Sequence, residues 1–353
     1  MSVHLISADD AMARYDAFDA VIDARSEGEY AEDHLPAALN WPSLNNEERI
    51  RVGTLYKQVS PFEAQKIGAA LVAANISRHI QAHVMDKPKQ WQPLVYCWRG
   101  GKRSNSLALV LGQIGFKVHL IEGGYKAFRK AVIDDTPRRV QPLQFRVLCG
   151  PTGSGKTRLL QALAAQGAQV LDLEALASHR ASVLGVIPGQ PQPTQKAFET
   201  LLWDALRRLD PKRAVFVEAE SKKVGNVTIP DSLIEAMRAA PCLRLALSLQ
   251  GRVQLLMEDY DYFVKDTSFF CERLDRLIDL KGRAVVEEWK ARAHAGQTAD
   301  VVAELLEKHY DPGYETSTSR NFRQYAQAPE LPLSGPDEQA MAQAASALLK
   351  TPG

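Results

Sequence analysis

The sequence has few cysteines and no long hydrophobic run. Its four cysteines (Cys97, Cys149, Cys242 and Cys271) are widely spaced and form neither a CxxC pair nor a cysteine–histidine cluster. This spacing argues against a metal site built on cysteine and indicates free thiols. No run of about 18 apolar residues occurs, so no membrane span is expected. The opening MSVHLISADDAM lacks the basic and apolar regions of a secretory signal, and we expect a cytoplasmic protein.

An excess of charge of either sign is also missing. The 43 basic and 42 acidic residues nearly cancel, so RNA binding would need a local basic surface. An apolar fraction of 45% is sufficient for packed cores. At 353 residues the chain exceeds one comfortable hydrophobic core, and two domains are therefore expected.

Strand-like and helical segments alternate in both halves of the chain, which predicts α/β domains with parallel sheets. Residues 1–136 are predicted to form the first domain, and residues 137–143 to be a linker. Residues 144–353 are predicted to form a second domain, whose helical C-terminal part ends in a weak tail after residue 329. Glycine and proline interrupt residues 185–193, which are predicted to be a mobile loop.

A phosphate-binding motif begins the second domain. Residues 150–157 read GPTGSGKT and follow a strand-like segment, as the P-loop motif G-x-x-x-x-G-K-[ST] requires. In this motif backbone N–H groups and a helix N-terminus surround phosphate oxygens. Lys156 would reach the outer phosphates, and Thr157 would ligate Mg²⁺. The predicted diphosphate-binding residues are Gly150, Gly153, Ser154, Gly155, Lys156 and Thr157.

A P-loop commonly has an acidic partner at the end of a neighbouring buried strand. The run AVFV at residues 214–217 leads to Glu218, which either orients a water or a metal ion or only accepts a nearby hydrogen bond. The motif identifies a polyphosphate ligand but not the group attached to it. A pyrophosphate group satisfies it as well as a nucleotide does.

A second anion-binding loop is predicted around Cys97. Residues 97–104 read CWRGGKRS and lie between a buried strand and a helix. A cysteine at such a junction faces backbone N–H groups and the positive end of a helix, which favour the thiolate. The other cysteines lie in apolar segments and are predicted to be inert. The residues predicted to cradle an anionic donor at Cys97 are Arg99, Gly100, Gly101, Lys102 and Arg103.

The first domain resembles the rhodanese family. The similarity runs through DARSEGEY at residues 23–30, HLP at 34–36, the Cys97 loop and EGGYKAFR at 122–129. Rhodanese domains carry sulfur or selenium on the loop cysteine as a persulfide or perselenide. Ala37 stands where the family usually has glycine, and the C-x₅-R loop is one residue longer than usual. That length also resembles cell-cycle phosphatases and arsenate reductases, so it fits phosphate as well as selenophosphate.

The pairing of these two motifs makes the whole chain similar to the bacterial tRNA 2-selenouridine synthase family. The resemblance implies conversion of 2-thiouridine at the tRNA wobble position to 2-selenouridine, through an S-geranyl intermediate. Geranyl diphosphate would occupy the P-loop. Cys97 would take selenium from selenophosphate and, as a perselenide, deliver it to C2 while geranylthiol leaves. The implied partners are a tRNA anticodon stem-loop and an enzyme that supplies selenophosphate. No covalently bound cofactor is expected, and the need for Mg²⁺ is left open.

The tRNA would contact a local basic surface in the helical part of the second domain. Tyr260, Tyr262, Phe263 and Trp289 are available there for base stacking. Acidic residues interleave with the basic ones, and an ordinary solvated helical face fits the pattern equally well. The candidate cations are Lys265, Arg273, Arg276, Lys281, Arg283, Lys290 and Arg292.

Two other functions fit parts of this pattern. The first is a cysteine-dependent phosphatase acting through Cys97, or a P-loop kinase acting on a small molecule. The second is a nucleotide-gated binding module whose rhodanese-like domain is only a docking surface. A docking domain has no need of a reactive thiolate in a cationic loop, which argues against the second.

Overall fold

The computed structural model describes residues 3–180, 187 and 189–350. Contacts within the chain divide it into two compact units. The first, here called the cysteine-loop unit, consists of Met1–Thr136 and Pro193–Asp204. The second, the P-loop unit, consists of Pro137–Gln192 and Ala205–Gly353. Three positions of the predicted mobile loop, 185, 186 and 188, lie outside the described residues.

The first part of the chain alternates between strands and helices. Its strands form one sheet in the order β1-β5-β4-β2-β3, and each neighbouring pair is parallel. This arrangement confirms the predicted fold class. The elements are β1 (Val3–Ile6), α1 (Ala8–Ala13), β2 (Ala20–Asp23), α2 (Glu27–Glu32), β3 (Leu39–Asn40), α3 (Asn46–Gln58), α4 (Pro61–His83), β4 (Pro93–Tyr96), α5 (Lys102–Ile114), β5 (Val118–Ile121) and α6 (Gly124–Val140).

Cys97 follows β4, which lies inside this sheet between β2 and β5. All the side chains of β4 are buried, as expected for a parallel strand that is covered on both faces. The carboxyl ends of parallel strands meet at one edge of a sheet, where ligands commonly bind. The topology therefore places Cys97 near the centre of that edge.

The strands of the P-loop unit form a second parallel sheet, in the order β12-β11-β6-β8-β7. The P-loop follows β6, again inside the sheet, while β9 and β10 form a separate antiparallel pair. The remaining elements of the chain are β6 (Gln144–Cys149), α7 (Lys156–Ala165), β7 (Gln169–Leu171), α8 (Leu173–Ala177), α9 (Gln195–Leu206), β8 (Ala214–Glu218), β9 (Lys223–Val224), β10 (Val227–Thr228), α10 (Asp231–Ala239), β11 (Cys242–Ala246), α11 (Leu249–Asp259), α12 (Asp261–Lys265), α13 (Thr267–Leu274), α14 (Ile278–Lys281), α15 (Arg283–His294), α16 (Thr298–Leu305), α17 (Asp311–Asn321), β12 (Glu330–Pro332) and α18 (Glu338–Lys350).

The prediction of a weak tail after residue 329 was wrong. β12 pairs in parallel with β11, with Glu330 opposite Arg244, and extends the sheet at its edge. Met341 and Ala345 of α18 are buried in the same core as the apolar residues of α7. A three-residue strand and an alanine-rich helix carry weak sequence signals, because tertiary packing supplies most of their stability.

The predicted linker at 137–143 is irregular only from residue 141, because α6 continues to Val140 with Pro137 inside it. Proline lacks the N–H group that would bond to the carbonyl of Ile133. Ile133 is 57% exposed, so this turn of the helix lies at the surface.

Helix α9 belongs to the cysteine-loop unit, although it lies between β7 and β8 in the chain. The sequence had assigned this segment to the second domain, residues 144–353. Its Trp203 is fully buried and meets the rings of Tyr15 and Phe128 edge-on at 5.9 and 5.6 Å. The Trp203 indole N–H also donates to Asp135 (3.0 Å). An amphipathic pattern shows that a helix covers a core but does not show which core it covers.

The helical part of the P-loop unit has a core of its own. Phe270, Leu274, Val286 and Trp289 are buried there with residues of α16. None of the helices in the described part of the chain combines the length and the apolar character needed to cross a membrane.

Replacement of Trp203 by alanine is expected to destabilise the cysteine-loop unit by about 3–5 kcal/mol, because it leaves a large cavity at a fully buried position. Urea unfolding of the full chain measures this free energy. Leu201→Ala, on the exposed face of the same helix, is the matched control and should cost about 0.5 kcal/mol or less. Equal effects of the two variants would contradict the assignment of α9 to this core.

Candidate functional site

The Cys97 loop is held by close backbone contacts with the start of α6. The N–H of Tyr125 donates to the carbonyl of Cys97 (2.8 Å). A Cβ atom at Gly124 would lie 2.2 Å from that carbonyl oxygen and 2.6 Å from the nitrogen of Gly100. Gly124 also has a φ of +56°, so only glycine fits here without moving the loop.

The sulfur of Cys97 lies at the N-terminal end of α5. Its side chain is buried, and the Ser104 hydroxyl donates to Sγ (3.0 Å). Gly101 immediately precedes the helix, and Gly100 adopts a left-handed conformation (φ +67°). The Ser104 hydroxyl is therefore a direct hydrogen-bond donor to the sulfur at the start of α5. Ser104 was not among the predicted site residues, although it directly follows the C-x₅-R motif.

The predicted cations of this loop differ in their surroundings. Arg99 and Lys102 are exposed. Arg103 instead donates to Glu29 (2.6 Å), which also pairs with Arg49 at 3.1 Å. Burial favours a higher pKa for Glu29, but Arg103 and Arg49 outweigh it and lower that pKa. The structure therefore holds Arg103 in an ion pair at one side of the loop.

Behind the loop lies a buried ion pair that the DARSEGEY motif supplies. Arg25 donates to Asp23 (2.6 Å), and both side chains are almost completely buried. The Tyr96 hydroxyl donates to the same carboxylate (2.7 Å), and the Arg25 guanidinium lies 4.0 Å from the ring centre of Tyr125. Each charge is compensated, as buried charges must be. The contacts of Asp23 therefore give it a structural role.

A second buried carboxylate connects α9 to this network. Asp33 accepts hydrogen bonds from the hydroxyls of Tyr125 (2.8 Å) and Thr200 (3.0 Å). Burial raises the pKa of Asp33, although these hydroxyls and Arg129 oppose the shift. Arg129 in turn donates to Thr200 (3.2 Å) and Glu199. Two residues of α9 thus complete the polar core beneath the cysteine loop.

The P-loop has the backbone that its glycines predict. Gly153 and Gly155 both have positive φ, at +79° and +88°, and Gly155 caps α7. The Lys156 ammonium donates to the carbonyl of Gly150 (2.7 Å). The hydroxyl of Ser154 is buried and has no hydrogen-bond partner among the described residues. The N-terminal end of α7 therefore offers backbone and side-chain donors to an anion.

Three carboxylates meet beside the P-loop. Oxygens of Glu174, Glu218 and Glu220 lie within 4.8 Å of one another, and the Thr157 hydroxyl is 3.4 Å from Glu174. Both oxygens of Glu218 are buried without a geometrically suitable hydrogen-bond donor in the described chain. Burial and then the charge of Glu174 raise the pKa of Glu218 to about 8. Burial and the same neighbour also raise the pKa of Glu220 well above its usual range.

The P-loop and this carboxylate cluster line a pocket of about 400 Å³. Arg180 and Arg238 line it and add positive charge that the sequence analysis missed. Arg180 lies over the ring of Tyr260 (4.6 Å) and within 3.5 Å of Asp259. Both arginines are distant from the P-loop in the chain, so no local motif marks them.

The helical part of the unit reaches the P-loop through two contacts. The buried Arg252 donates to the carbonyl of Thr152 (2.8 Å) and to Asp311 (2.6 Å). The N–H of Gly150 donates to the hydroxyl of Tyr314 (2.6 Å). The pocket is therefore walled by helices α11 and α17 as well as by the sheet.

Several predicted tRNA contacts are already engaged within the protein. Lys265 pairs with Asp261, and Lys281 donates to the carbonyl of Lys308 (2.7 Å). The side chain of Arg273 is only 12% exposed. Arg273 would have to become more exposed to reach a phosphate, whereas the ion pair of Lys265 lies at the surface, with 75% of that side chain exposed.

The other candidate cations fall into two groups. Arg276 and Arg283 are exposed. Lys290 is paired with Asp275 (3.0 Å), and Arg292 with Glu304 (2.6 Å). The sequence shows the charges but not these pairings.

The aromatic residues proposed for base stacking are largely interior. Trp289 and Phe263 are buried in the helical core, so they cannot stack on a base. Tyr260 and Tyr262 are partly exposed, and Tyr260 lines the P-loop pocket. Helical periodicity placed these aromatic residues close together but did not separate core from surface.

Comparison with known proteins matches both halves of the chain. Residues 143–276 match the family model of the tRNA 2-selenouridine synthase AAA domain, and residues 7–131 match the rhodanese-like domain. A tRNA 2-selenouridine synthase of Alcanivorax borkumensis is 32% identical over 330 residues, covering 85% of this chain and 90% of that protein. One of Sulfurovum sp. is 33% identical over 330 residues, covering 85% of this chain and 89% of that protein. The chain belongs to the tRNA 2-selenouridine synthase family. One of Nitrosomonas europaea is 38% identical over 259 residues, covering 72% of this chain and 67% of that protein.

This membership confirms the resemblance drawn from the two loop motifs. The family match and the structure assign α9 differently. The family's AAA domain model spans 143–276 and includes that helix. In the structure, residues Pro193–Asp204 cluster with the cysteine-loop unit instead. One segment of the AAA-domain match therefore packs with the cysteine-loop unit, which boundaries drawn along the sequence do not show.

The buried Glu218 is expected to make stability depend on pH. Its carboxyl keeps a proton in the folded state up to a pKa of about 8, whereas the unfolded chain releases it near 4.5. Between these values the folded state binds more protons, so stability falls as pH rises, by up to roughly 1.4 kcal/mol per pH unit. Glu218→Gln should flatten the curve and be more stable than wild type at pH 8.

Urea unfolding at pH 5, 6.5 and 8 measures this effect. Glu307→Gln, an exposed residue, serves as the matched control and should follow the wild-type curve. Parallel curves for wild type and Glu218→Gln would show that this carboxyl does not hold its proton in the fold.

Proposed function

We propose that this chain converts 2-thiouridine at the wobble position of tRNA into 2-selenouridine through an S-geranyl intermediate, using geranyl diphosphate and selenophosphate. The observation that carries the proposal is the presence of two anion-binding loops in a member of this family. Each loop follows an interior strand of its own parallel sheet. The relatives named tRNA 2-selenouridine synthase support the RNA substrate.

The P-loop unit is suited to the alkylation step. The thiocarbonyl sulfur of the base attacks C1 of the geranyl group, the C–O bond breaks, and diphosphate leaves with the bonding electron pair. Lys156, the N–H groups at the start of α7 and the pocket arginines Arg180 and Arg238 stabilise that developing charge. Alkylation converts a poor leaving group into a thiolate that can depart.

The cysteine-loop unit is suited to handling selenium. Selenophosphate is an anion, and Arg99, Lys102 and the backbone of the Cys97 loop supply positive charge for it. Ser104 holds the Cys97 sulfur in place with a hydrogen bond. The Cys97 thiolate attacks C2 of the alkylated base, and geranylthiolate leaves with the electrons of the C–S bond. The selenium of selenophosphate then attacks C2 and displaces Cys97 as a thiolate, and water cleaves the Se–P bond to release phosphate.

The carboxylate cluster fits a divalent cation. Three carboxylates lie within 4.8 Å of one another, and Glu218 has no donor of suitable geometry in the part of the chain that the structure describes. This is the oxygen-rich set that Mg²⁺ prefers. Glu174, Glu218 and Glu220 would hold the ion, with Thr157 beside them. When bound, Mg²⁺ would supply positive charge next to the diphosphate.

The two reactions are expected to separate by mutation. Cys97→Ala should still geranylate a 2-thiouridine anticodon stem-loop but fail to introduce selenium. Lys156→Ala should lose geranylation by about 100-fold or more, because it removes charge stabilisation of the leaving diphosphate. Mass spectrometry of the RNA, with geranyl diphosphate and with or without selenophosphate, measures both products.

Matched controls keep this experiment interpretable. Cys271→Ala removes another buried thiol, and Lys212→Ala removes an exposed lysine of the P-loop unit. Both should behave as wild type. If wild type leaves the RNA unmodified in all conditions, the proposal fails, and a cysteine-dependent phosphatase or P-loop kinase becomes the better explanation.

Mg²⁺ is expected to raise the melting temperature of the wild-type protein, more strongly at pH 8 than at pH 6, because the ion competes with protons for these carboxylates. Glu174→Gln should reduce the shift, since it removes one ligand. Glu307→Gln is again the matched control. A Mg²⁺ effect that is the same in all three proteins would place any bound ion elsewhere.

A further inference from the structure

One face of α17 meets the P-loop at two points. Tyr314 accepts a hydrogen bond from the N–H of Gly150 (2.6 Å), the residue with which the loop begins. Three residues earlier, Asp311 accepts from Arg252 (2.6 Å), whose guanidinium also donates to the carbonyl of Thr152 (2.8 Å). Residues three apart lie on the same face of a helix, so α17 holds the start of the loop through neighbouring side chains.

Tyr314 also faces the lysine of the loop. The Lys156 ammonium lies 5.6 Å from the centre of the Tyr314 ring and donates to the carbonyl of Gly150 (2.7 Å). An ammonium group over the face of an aromatic ring is attracted by the negative π-surface of the ring. One side chain therefore contacts both the first residue of the loop and the lysine that would meet the phosphates.

Gly150 joins these two contacts. Its N–H binds Tyr314, and its carbonyl binds Lys156. A Cβ atom at Gly150 would lie 2.4 Å from the hydroxyl oxygen of Ser154, so the turn is tightly enclosed. Loss of the Tyr314 hydroxyl would remove the acceptor of the Gly150 N–H and loosen the peptide group next to the carbonyl that holds the lysine.

The partner that α17 offers to the lysine is neutral. Burial raises the pKa of Tyr314 well above its usual range, so the phenol keeps its proton. A carboxylate in the same position would form a charge-assisted hydrogen bond with the ammonium and would compete with an incoming anion. A carbonyl and an aromatic ring bind the ammonium less strongly, so it can transfer to phosphate oxygens.

We propose that Tyr314 is a positioning residue for Lys156, and that it keeps the ammonium at the phosphate-binding pocket through its hydroxyl, which binds Gly150, and through its ring. Both Tyr314 and Lys156 line that pocket. The inference rests on the proposed function, because the anion that Lys156 meets there is the diphosphate of the substrate. It adds a residue from a helix far along the chain, which no part of the P-loop motif marks. A lysine that is already held in place loses less conformational freedom when the anion binds.

Calorimetric titration of the full chain with inorganic pyrophosphate tests this role without the chemistry of alkylation. Tyr314→Phe removes the hydroxyl but keeps the ring, and it should weaken pyrophosphate binding about tenfold. Tyr314→Leu removes the ring as well and should weaken binding about 100-fold. Tyr325→Phe is the matched control, because it deletes the hydroxyl of another buried tyrosine, one that donates to Glu315 on the same helix (2.7 Å). The control should bind pyrophosphate as wild type does.

A double variant separates positioning of the lysine from a general loss of structure. If Tyr314 acts through Lys156, the effect of Tyr314→Phe disappears once the ammonium is gone. The double variant should therefore bind pyrophosphate as Lys156→Ala alone does. A change that only weakened the fold would reduce the affinity by the same factor with and without Lys156.

The outcomes distinguish this inference from the function on which it rests. The positioning role is overturned, while the diphosphate assignment survives, if Tyr314→Phe binds pyrophosphate as wild type does or acts equally in both backgrounds. A loss of the same size in Tyr325→Phe would also overturn it. Equal affinities of the two Tyr314 variants would exclude the contribution of the ring. If folded wild-type protein does not bind pyrophosphate, the diphosphate assignment itself fails, and this inference fails with it.

Discussion

The cost of burying a charge without a partner shapes both halves of this protein. In the cysteine-loop unit the cost is offset locally, since Asp23 and Arg25 neutralise each other. Asp33 is likewise surrounded by hydroxyl donors. In the P-loop unit Glu218 is buried beside two further carboxylates, and its oxygens have no hydrogen-bond donor of suitable geometry among the described residues. Such a cluster must bind protons or a cation to remain buried. The first arrangement gives a rigid support and the second a site that responds to pH and ions.

The rigid support explains how a short loop can present a reactive sulfur. Tyr125 connects the cysteine loop to the buried polar core, because its N–H group donates to the Cys97 carbonyl and its hydroxyl donates to Asp33. Thr200, from α9, donates to the same carboxylate. A helix from the middle of the P-loop half therefore helps to define the core on which the cysteine loop rests. A fragment that ends at residue 136 would lack this helix.

The P-loop unit places polar and apolar protein surfaces next to each other. Backbone N–H groups, Lys156 and the carboxylates create a strongly polar end, and the helices that follow the sheet create an apolar one. Arg252 connects the two parts, since it is bonded both to the P-loop carbonyl of Thr152 and to Asp311 of α17. The helical region therefore does more than cover the sheet, because its position determines the shape of the pocket.

The order of residues was enough to predict the two parallel-sheet folds, the two loops and the family. Local rules were sufficient there, because a strand, a glycine-rich turn and a helix follow one another within a few residues. Tertiary structure alone decided that α9 joins the cysteine-loop unit, that Trp289 is interior and that Arg103 is paired with Glu29. The tertiary contacts also include the meeting of Arg180 and Arg238 in the pocket beside the P-loop. These features depend on contacts between residues far apart in the chain, and no local pattern encodes which surfaces will meet.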